Sequence, residues 1–200
     1  MTTTRSLDES AWLTGYFERY RASLFRGDVV PQLLTLKEWM LATHAQGKKV
    51  IIAGNGGSAA IASHCAVDFT KNAGVRCVNF NEADLITCLS NDYGYEQWMA
   101  KAVECYGDAG DVLIAISSSG QSKNVLNACK AARRTNFVSV VTFSGFDRAN
   151  PLRQLGDENF WVDSRAYNLV ELTHQFWLLA LVDLLIGQTE YPATPTEATL

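Results

Sequence analysis

The sequence lacks the marks of a secreted or membrane-spanning protein. Its five cysteines are odd in number and show no C-x-x-C spacing, so we expect reduced thiols in core positions and a cytoplasmic protein rather than a disulfide framework. The first ten residues, MTTTRSLDES, contain no apolar stretch of the signal-peptide kind. The longest apolar run, Phe176 to Val182, is too short to cross a bilayer.

An excess of charge of one sign is also missing. The formal net charge is -4, which gives no reason to expect nucleic acid or an acidic membrane as a partner. The chain has 200 residues, of which 48% are hydrophobic, and this is enough for one domain with a sizeable core. We therefore expect a single domain with N-terminal helices over residues 1–47, an α/β core over 48–187 and a mobile polar tail over 188–200.

Two N-terminal helices contain no evident site. The first is predicted from Leu7 to Phe25, and the second from about Pro31 to a C-terminal cap at Gly47. Their large apolar side chains recur at helical spacing, which is more typical of a core or interface stripe than of a binding site. The inward residues would be Trp12, Tyr16, Tyr20 and Leu24 in the first helix and Leu33, Leu36, Met40 and Leu41 in the second.

From Lys49 onward, apolar strands alternate with helical stretches. This pattern is typical of a doubly wound α/β domain, in which a parallel sheet is covered on both faces and ligands bind beyond the carboxyl ends of its strands. The predicted strands are Val50 to Ala53, Val75 to Phe80, Val112 to Ile116, Val138 to Phe143 and Phe160 to Val162. The predicted helices are Ser58 to Lys71, Asp84 to Tyr106, Ser122 to Arg134, Pro151 to Leu155 and Asn168 to Ile186.

A glycine-rich turn follows the first predicted strand. Gly54, Gly56 and Gly57 let the backbone bend sharply, and a helix begins near Ser58. The first N–H groups of a helix have no partner within it and lie at the positive end of its dipole. A phosphate could therefore dock against them and the Ser58 hydroxyl.

The same helix contains a candidate catalytic pair. His64 and Asp68 are four residues apart and share one helix face, among neighbours that are nearly all apolar. A buried imidazole and a buried carboxylate need partners, which favours a functional role. The structural alternative is a core histidine with an ion pair between Asp68 and Lys71.

A serine-rich turn follows the third predicted strand. It offers four hydroxyls around Gly120 in front of a helix N-terminus, which suits the three oxygens of a phosphate. Serine is also a common turn and N-cap residue, so this turn alone is weak evidence. Two such turns after strands of one parallel sheet open on the same edge, and together they indicate a ligand site. The hydroxyls belong to Ser117, Ser118, Ser119 and Ser122.

Three motifs in combination resemble one family. They are GNGGS with a histidine and an acid six and ten residues after its serine, NDYGYE at Asn91 to Glu96, and ISSSGQS. Over about Val50 to Ile186 the chain resembles the sugar isomerase (SIS) fold, and in particular the bacterial phosphoheptose isomerases. The resemblance implies a flavodoxin-like sheet, a homotetramer with active sites at subunit contacts, and aldose/ketose isomerisation of sedoheptulose 7-phosphate.

The resemblance also assigns binding residues by position. It implies substrate contacts at the glycine turn, contacts with sugar hydroxyls in the NDYGYE motif, and phosphate binding at the serine turn. The residues are Asn55, Gly56, Gly57 and Ser58, then Asn91 and Asp92, then Ser117, Ser118, Ser119 and Ser122.

The catalytic centre departs from the family pattern. His64 is retained, whereas Asp68 stands at the position of a glutamate. On the last helix, Glu171 stands at the position of a glutamine and Leu179 at that of a histidine. Since the family uses these positions for zinc and for acid/base chemistry, the resemblance implies a modified centre. His64, Asp68 and Glu171 could still hold zinc or another divalent ion, with water in the remaining position.

Proton transfer next to a carbonyl is the chemistry that we expect at this centre. Asp68 or Glu171 would be the base, Glu171 would also contact substrate, and His64 would be a metal ligand or a proton shuttle. No organic cofactor is expected. The structural alternative is that the polar stripe on the last helix is a solvated face, or that two of its members pair with each other. The stripe consists of Asn168, Glu171, His174 and Gln175, and the pair would be Glu171 with His174.

Two other classes of function stay open. One is a non-catalytic regulatory protein on the same fold, of the DnaA initiator-associating type, which the loss at Leu179 would suit. The other is a dinucleotide-binding enzyme, because Gly54, Gly56 and Ala59 fit G-x-G-x-x-A after a strand, with Glu82 as a possible ribose ligand. The second alternative leaves the serine turn unexplained.

Overall fold

Five parallel strands form the central sheet of the computed structural model, which describes residues 8–189. The strand order is β2-β1-β3-β4-β5, the flavodoxin-like order, and the predicted fold class is confirmed. Leu7 and the predicted tail from residue 190 onward lie outside the described residues. The strands are β1 (Val50–Gly54), β2 (Cys77–Val78), β3 (Val112–Ser117), β4 (Ser139–Ser144) and β5 (Glu158–Trp161).

Helices precede, connect and follow these strands. The single helix predicted from Asp84 to Tyr106 is wrong, because Gly94 adopts a φ of +85° and ends the first of two separate helices. The helices are α1 (Glu9–Leu24), α2 (Val29–Ala45), α3 (Gly57–Lys71), α4 (Ala83–Tyr93), α5 (Trp98–Tyr106), α6 (Lys123–Arg134) and α7 (Tyr167–Ile186), with a 3-10 turn at Leu152–Gln154.

The edge strand β2 is shorter than the predicted strand from Val75 to Phe80. The backbone of β2 forms hydrogen bonds with a side chain of α3. The Thr70 hydroxyl accepts a hydrogen bond from the Cys77 N–H and donates one to the Cys77 carbonyl, both at 2.9 Å. The Val75 N–H donates to the Phe69 carbonyl at 2.8 Å. Contacts with the helix therefore replace part of the expected strand pairing.

Each face of the sheet packs against its own set of helices. Val50 and Ile52 of β1 lie in a core with α2, α3 and α7. Ile51 and Ala53 lie in the opposite core with α5 and α6. Since successive side chains of a strand point to opposite faces, both faces of β1 are buried, and this explains its uninterrupted apolar sequence.

The N-terminal helices expose more apolar surface than their sequence pattern predicts. In α1 the buried residue is Tyr20, whereas Trp12 is 47% exposed. In α2, Leu36 and Met40 are buried as expected, but Leu41 is 44% exposed. The end of α1 docks on α7, where the Trp177 indole N–H donates to the Leu24 carbonyl at 3.0 Å.

Helix α7 is long and apolar enough to cross a membrane by length and composition alone. The most apolar 18-residue window of this 20-residue helix has a mean hydropathy of 1.6, although the longest unbroken apolar run, Phe176 to Val182, is much shorter. Core helices of soluble proteins pass the same test. One side of α7, with Val170, Trp177 and Leu181, is buried against the sheet.

All five cysteines are free thiols, and their burial differs from the prediction at two positions. Cys65, Cys77 and Cys129 are buried, as expected of core residues. Cys88 and Cys105 are exposed. Cys88 lies on α4, and Cys105 lies in the last turn of α5.

We expect Gly54→Ala to destabilise the fold. An added Cβ would lie 2.6 Å from the Ser58 Cβ and 2.9 Å from the Ile116 carbonyl oxygen, so β1, β3 and α3 would have to move apart. The free energy of unfolding, measured by urea denaturation, should fall by about 1 to 3 kcal/mol.

The control is Gly15→Ala in α1, where no heavy atom lies within 4 Å of the added carbon. That change should stabilise the protein by up to about 1 kcal/mol, because alanine is the better helix former. Equal stabilities for the two variants would contradict the prediction.

Candidate active site

The glycine turn and the serine turn open on the same edge of the sheet. Strands β1 and β3 are neighbours, with Gly54 opposite Ile116 at their carboxyl ends. The Gly145 N–H after β4 donates to the Ser118 carbonyl at 2.9 Å, which ties a third strand end to the serine turn. The predicted meeting of the two turns is therefore present.

A carboxylate lies against the glycine turn. An added Cβ at Gly57 would lie 2.3 Å from Oε2 of Glu171, so only glycine leaves room for this side chain. No side chain caps the N-terminus of α3, and the positive end of a helix dipole favours a negative group. The carboxylate takes the place at which the sequence suggested a phosphate.

The serine turn keeps hydroxyls available for a ligand. The Ser117 hydroxyl donates to the Ser122 hydroxyl at 3.1 Å, and the Ser122 side chain makes no capping bond to α6. Ser119 accepts a backbone N–H two residues later at 3.2 Å and so helps to shape the turn. Gly120 adopts a φ of +66°, which closes the turn in front of the α6 N-terminus.

The side chain of Asn55 connects the glycine turn to two other motifs. It forms reciprocal amide hydrogen bonds with Asn124, at 2.9 and 2.8 Å. The Tyr95 hydroxyl donates to its Oδ1 at 3.2 Å. The GNGGS motif, the NDYGYE motif and the first turn of α6 therefore meet at one side-chain amide.

A cavity of about 480 Å³ lies between α3 and α7. Glu171 and His64 both line it, on opposite helices. Its other lining residues are Gly57, Ala60 and Ile61 of α3, Asn168, Leu172 and Gln175 of α7, and Tyr20 of α1.

Both ring nitrogens of His64 have polar partners. The Gln175 amide nitrogen lies 2.9 Å from Nδ1, so Nδ1 is the acceptor and Nε2 bears the proton. Nε2 lies 3.2 Å from the Asp68 carboxylate, whose other oxygen accepts from Asn72. The predicted pairing of His64 with Asp68 on one helix face is present. The His64 side chain is 50% exposed, so the expected burial of the imidazole is wrong, and so is the alternative of a core histidine.

Tyr20 lines the cavity, although its helical spacing alone predicts a place in a core stripe. It is 8% exposed, and its hydroxyl lies 2.7 Å from the Tyr16 hydroxyl. Burial raises the pKa of Tyr20 to about 12, so the phenol stays a neutral hydrogen-bond donor. The one sequence signal for a site here is that tyrosines, at positions 16 and 20, occupy two successive turns of the predicted stripe in place of aliphatic residues.

His174 does not belong to the solvated stripe that the sequence suggested. It is fully buried, and its Nε2–H donates to the Ser144 carbonyl at 3.0 Å. It is not paired with Glu171. Nδ1 has no hydrogen-bond partner among residues 8–189. Burial lowers the pKa of His174 to about 4, so the ring is neutral and fastens α7 to the end of β4.

The side chains of the modified centre do not fit a zinc site. Across the described part of the chain, no three His, Cys, Asp or Glu side chains lie close enough to hold a metal ion. Both nitrogens of His64 already have partners. Leu179 lines a separate apolar groove with Phe176 and Asp183, away from the cavity that holds Glu171. The candidate ligand set His64, Asp68 and Glu171 is therefore not assembled.

Asn91 and Asp92 lie on the exposed surface of α4. The Asn91 amide donates to the Asp92 carboxylate at 3.0 Å. Their predicted contact with sugar hydroxyls stays a prediction, whereas Tyr95 from the same motif reaches the site.

The chain matches the SIS domain family over residues 16–145. This match includes both turns and α3. It ends before α7, so Glu171 and Leu179 lie beyond it.

Individual related proteins match a larger part of the chain than the family match does. The chain is 34% identical over 143 residues to a phosphoheptose isomerase from Fusobacterium nucleatum, which covers 69% of this chain and 73% of that protein. It is 33% identical over 174 residues to a phosphoheptose isomerase from a Bradyrhizobium species, with 81% and 86% covered. Other relatives of that name are matched over 51% to 61% of their own length.

A solved structure supports the same relationship. The phosphoheptose isomerase from Neisseria gonorrhoeae superposes with a TM-score of 0.80 at 28% sequence identity. The superposition covers 88% of this chain and 98% of that chain, and therefore includes most of the sheet and its helices.

We expect the stability of the protein to fall as the pH is lowered from 6.5 to about 4, in part because of His174. The pKa of this group drops from its ordinary value of 6.5 to about 4 on folding, so the unfolded chain binds a proton that the folded chain excludes. The loss should reach up to about 3 kcal/mol and can be measured by urea denaturation at several pH values.

His174→Gln should flatten this dependence, since glutamine can donate to the Ser144 carbonyl without titrating. His44→Gln, at an exposed position of α2, is the matched control and should leave the slope as in the wild type. The same slope in His174→Gln and in the wild type would refute the assignment.

Proposed function

Because the chain belongs to the SIS domain family and, within it, to the phosphoheptose isomerases, we propose that it interconverts the ketose and aldose forms of a sugar phosphate. The proposed substrate is sedoheptulose 7-phosphate, and the product is a heptose 7-phosphate for surface polysaccharide or related nucleotide-sugar synthesis. The observation that supports this most is the Glu171 carboxylate, which lies at the glycine turn in a cavity on the same sheet edge as the serine turn.

The phosphate is assigned to the serine turn. Ser122 keeps its hydroxyl proton for a ligand, and the α6 N-terminus behind it favours an anion. The glycine turn is a poor alternative, because a phosphate there would face the Glu171 carboxylate. The carbon chain of the sugar would then extend from the serine turn toward the cavity between α3 and α7.

Glu171 is the base that the geometry favours. Isomerisation moves a proton between two carbons while an acid serves the two oxygens. Glu171 takes a proton from C1 of the open-chain ketose, and the carbonyl oxygen on C2 takes up a proton, which gives an enediol. Return of the proton to C2, with loss of the proton on the C1 oxygen, gives the aldose. No net proton is gained or lost.

His64 lies in the same cavity and is the proposed acid, provided that the substrate displaces Gln175 from Nδ1 so that this nitrogen can exchange a proton with the sugar oxygens. Its ring is held between Gln175 and Asp68, and half of its side chain is exposed to the cavity and solvent. Asp68 bonds to His64 and does not line the cavity. Asp68 is therefore assigned to positioning the imidazole and not to removing the carbon-bound proton.

The active protein is proposed to be a homotetramer, as the family resemblance implies. Large apolar side chains of α1 and α7 are exposed in the single chain, and exposed patches of this kind favour association. Phe25 and Phe176 form one continuous surface, with their ring centroids 5.6 Å apart. Phe17 is 63% exposed and Phe25 69% exposed.

A cytoplasmic location is proposed on the basis of the thiols. All five cysteines are free, and two of them are exposed. Exposed unpaired cysteines are typical of a reducing compartment.

A sugar-phosphate-binding protein without turnover is the second candidate. It is favoured by Leu179, which lies in an apolar groove with Phe176 instead of supplying the family histidine to the cavity. Binding of sedoheptulose 7-phosphate with no turnover would support this candidate. A dinucleotide enzyme is not supported, because that alternative gives no role to the serine turn or to Glu171.

Sedoheptulose 7-phosphate should incorporate solvent deuterium at a sugar carbon when it is incubated with the protein in D2O. Glu171→Gln should slow both this exchange and aldose formation by about 10²- to 10⁴-fold, because the amide cannot accept the proton. Exchange can be followed by NMR and aldose formation by chromatography. Glu38→Gln, at an exposed position of α2, is the matched control and should behave as the wild type. Full activity of Glu171→Gln would exclude it as the base.

Zinc should be dispensable for turnover. The purified protein should contain far less than one zinc per chain by elemental analysis, and dialysis against a chelator should leave turnover unchanged, since no described side chains form a three-ligand group. Stoichiometric zinc in the wild type, with activity lost to the chelator, would contradict this.

A further inference from the structure

Asn124 is a buried polar residue with no role in the mechanism described so far. It lies in the first turn of α6, immediately after the serine turn, and is 3% exposed. Its side chain crosses to the glycine turn, where it bonds to Asn55. A buried amide without partners is costly, so this contact holds both residues in place.

The backbone fixes the orientation of the Asn124 amide. The Val125 N–H donates to Oδ1 of Asn124 at 3.1 Å, and a backbone N–H can bond only to the oxygen of that amide. Nδ2 of Asn124 must then point to Asn55 as a donor. The reverse orientation would place two N–H groups face to face.

The orientation of Asn55 follows from that of Asn124. Its Nδ2 donates to Oδ1 of Asn124, and its Oδ1 accepts from Asn124 and from the Tyr95 hydroxyl, at 2.8 and 3.2 Å. A carbonyl oxygen has two lone pairs, so the oxygen of Asn55 is fully used. Its amide nitrogen has a second N–H, which has no partner among the residues that the structure describes.

We propose that Asn124 is a positioning residue that locks the Asn55 amide with one N–H free to donate to a substrate oxygen. The inference rests on the proposed function, in which Asn55 contacts the sugar phosphate. In this arrangement Asn55 can act toward the substrate only as a hydrogen-bond donor, and it recognises a carbonyl or hydroxyl oxygen of the sugar. Tyr95 supports the same orientation from the NDYGYE motif.

The test is a double-mutant cycle on Asn55 and Asn124. Asn124→Ala should lower kcat/KM for sedoheptulose 7-phosphate by about 10- to 100-fold, because the donor on Asn55 is no longer aligned. In an Asn55→Ala background the same change should have less than about a 2-fold effect, since no amide is left to orient. The affinity for sedoheptulose 7-phosphate, measured by calorimetry, provides a second readout for the same cycle.

Asn127→Ala is the matched control. Asn127 lies one turn later on α6 and donates to the Glu96 carbonyl at 2.9 Å, without touching Asn55. Its replacement should change kcat/KM by less than about 2-fold. If Asn124→Ala fails to fold, Asn124→Asp replaces it, because this variant keeps the shape and the acceptor for Val125 but cannot donate to Asn55.

Equal losses from Asn124→Ala in both backgrounds would overturn the positioning role while leaving the isomerase function in place. If the wild type binds the substrate without turnover, the isomerase function is overturned. The positioning role of Asn124 is then tested by the affinities of the same four proteins for sedoheptulose 7-phosphate. A wild type that neither binds nor turns over sedoheptulose 7-phosphate would overturn both.

Discussion

The site depends on the close parallel pairing of β1 with β3. Gly54 lies opposite Ile116, and a side chain at Gly54 would collide with both Ser58 of α3 and Ile116 of β3. Because parallel strands place their carboxyl ends together, the glycine turn and the serine turn open on one edge. The Asn55 amide, the α3 N-terminus and the serine hydroxyls derive their relative positions from this one contact.

The same edge of the sheet provides separate places for two negative groups, the Glu171 carboxylate and the proposed phosphate. Glu171 from α7 lies at the N-terminus of α3, and the serine turn offers hydroxyls at the N-terminus of α6. A carboxylate and a phosphate repel each other, so separate helix ends are the stable arrangement. In the proposed function, this separation places the base at one end of an extended sugar phosphate and the phosphate anchor at the other.

Several features of the site could be predicted from local sequence, and others could not. The two turns and the pairing of His64 with Asp68 follow from strand ends and from helical spacing, which are local properties. His174 was assigned to a solvated stripe with Glu171, three residues away. In the structure His174 is buried, whereas Glu171 lines a cavity. The sheet covers one side of α7, and α3 covers only part of the other side. Tyr20 enters the site from a helix that is distant in sequence.

The sequence by itself determined the fold class and the positions of the glycine turn and the serine turn at the ends of two strands. These follow from apolar strands, glycine and serine at strand ends and helical periodicity, and each depends only on neighbouring residues. Only the tertiary structure decided which side chains share the cavity, that Glu171 occupies the α3 N-terminus, and that Asn124 orients Asn55. Glu171 lies 114 positions from Gly57, and Asn124 lies 69 positions from Asn55. The geometry of these contacts is set by helix packing on the sheet rather than by any local pattern.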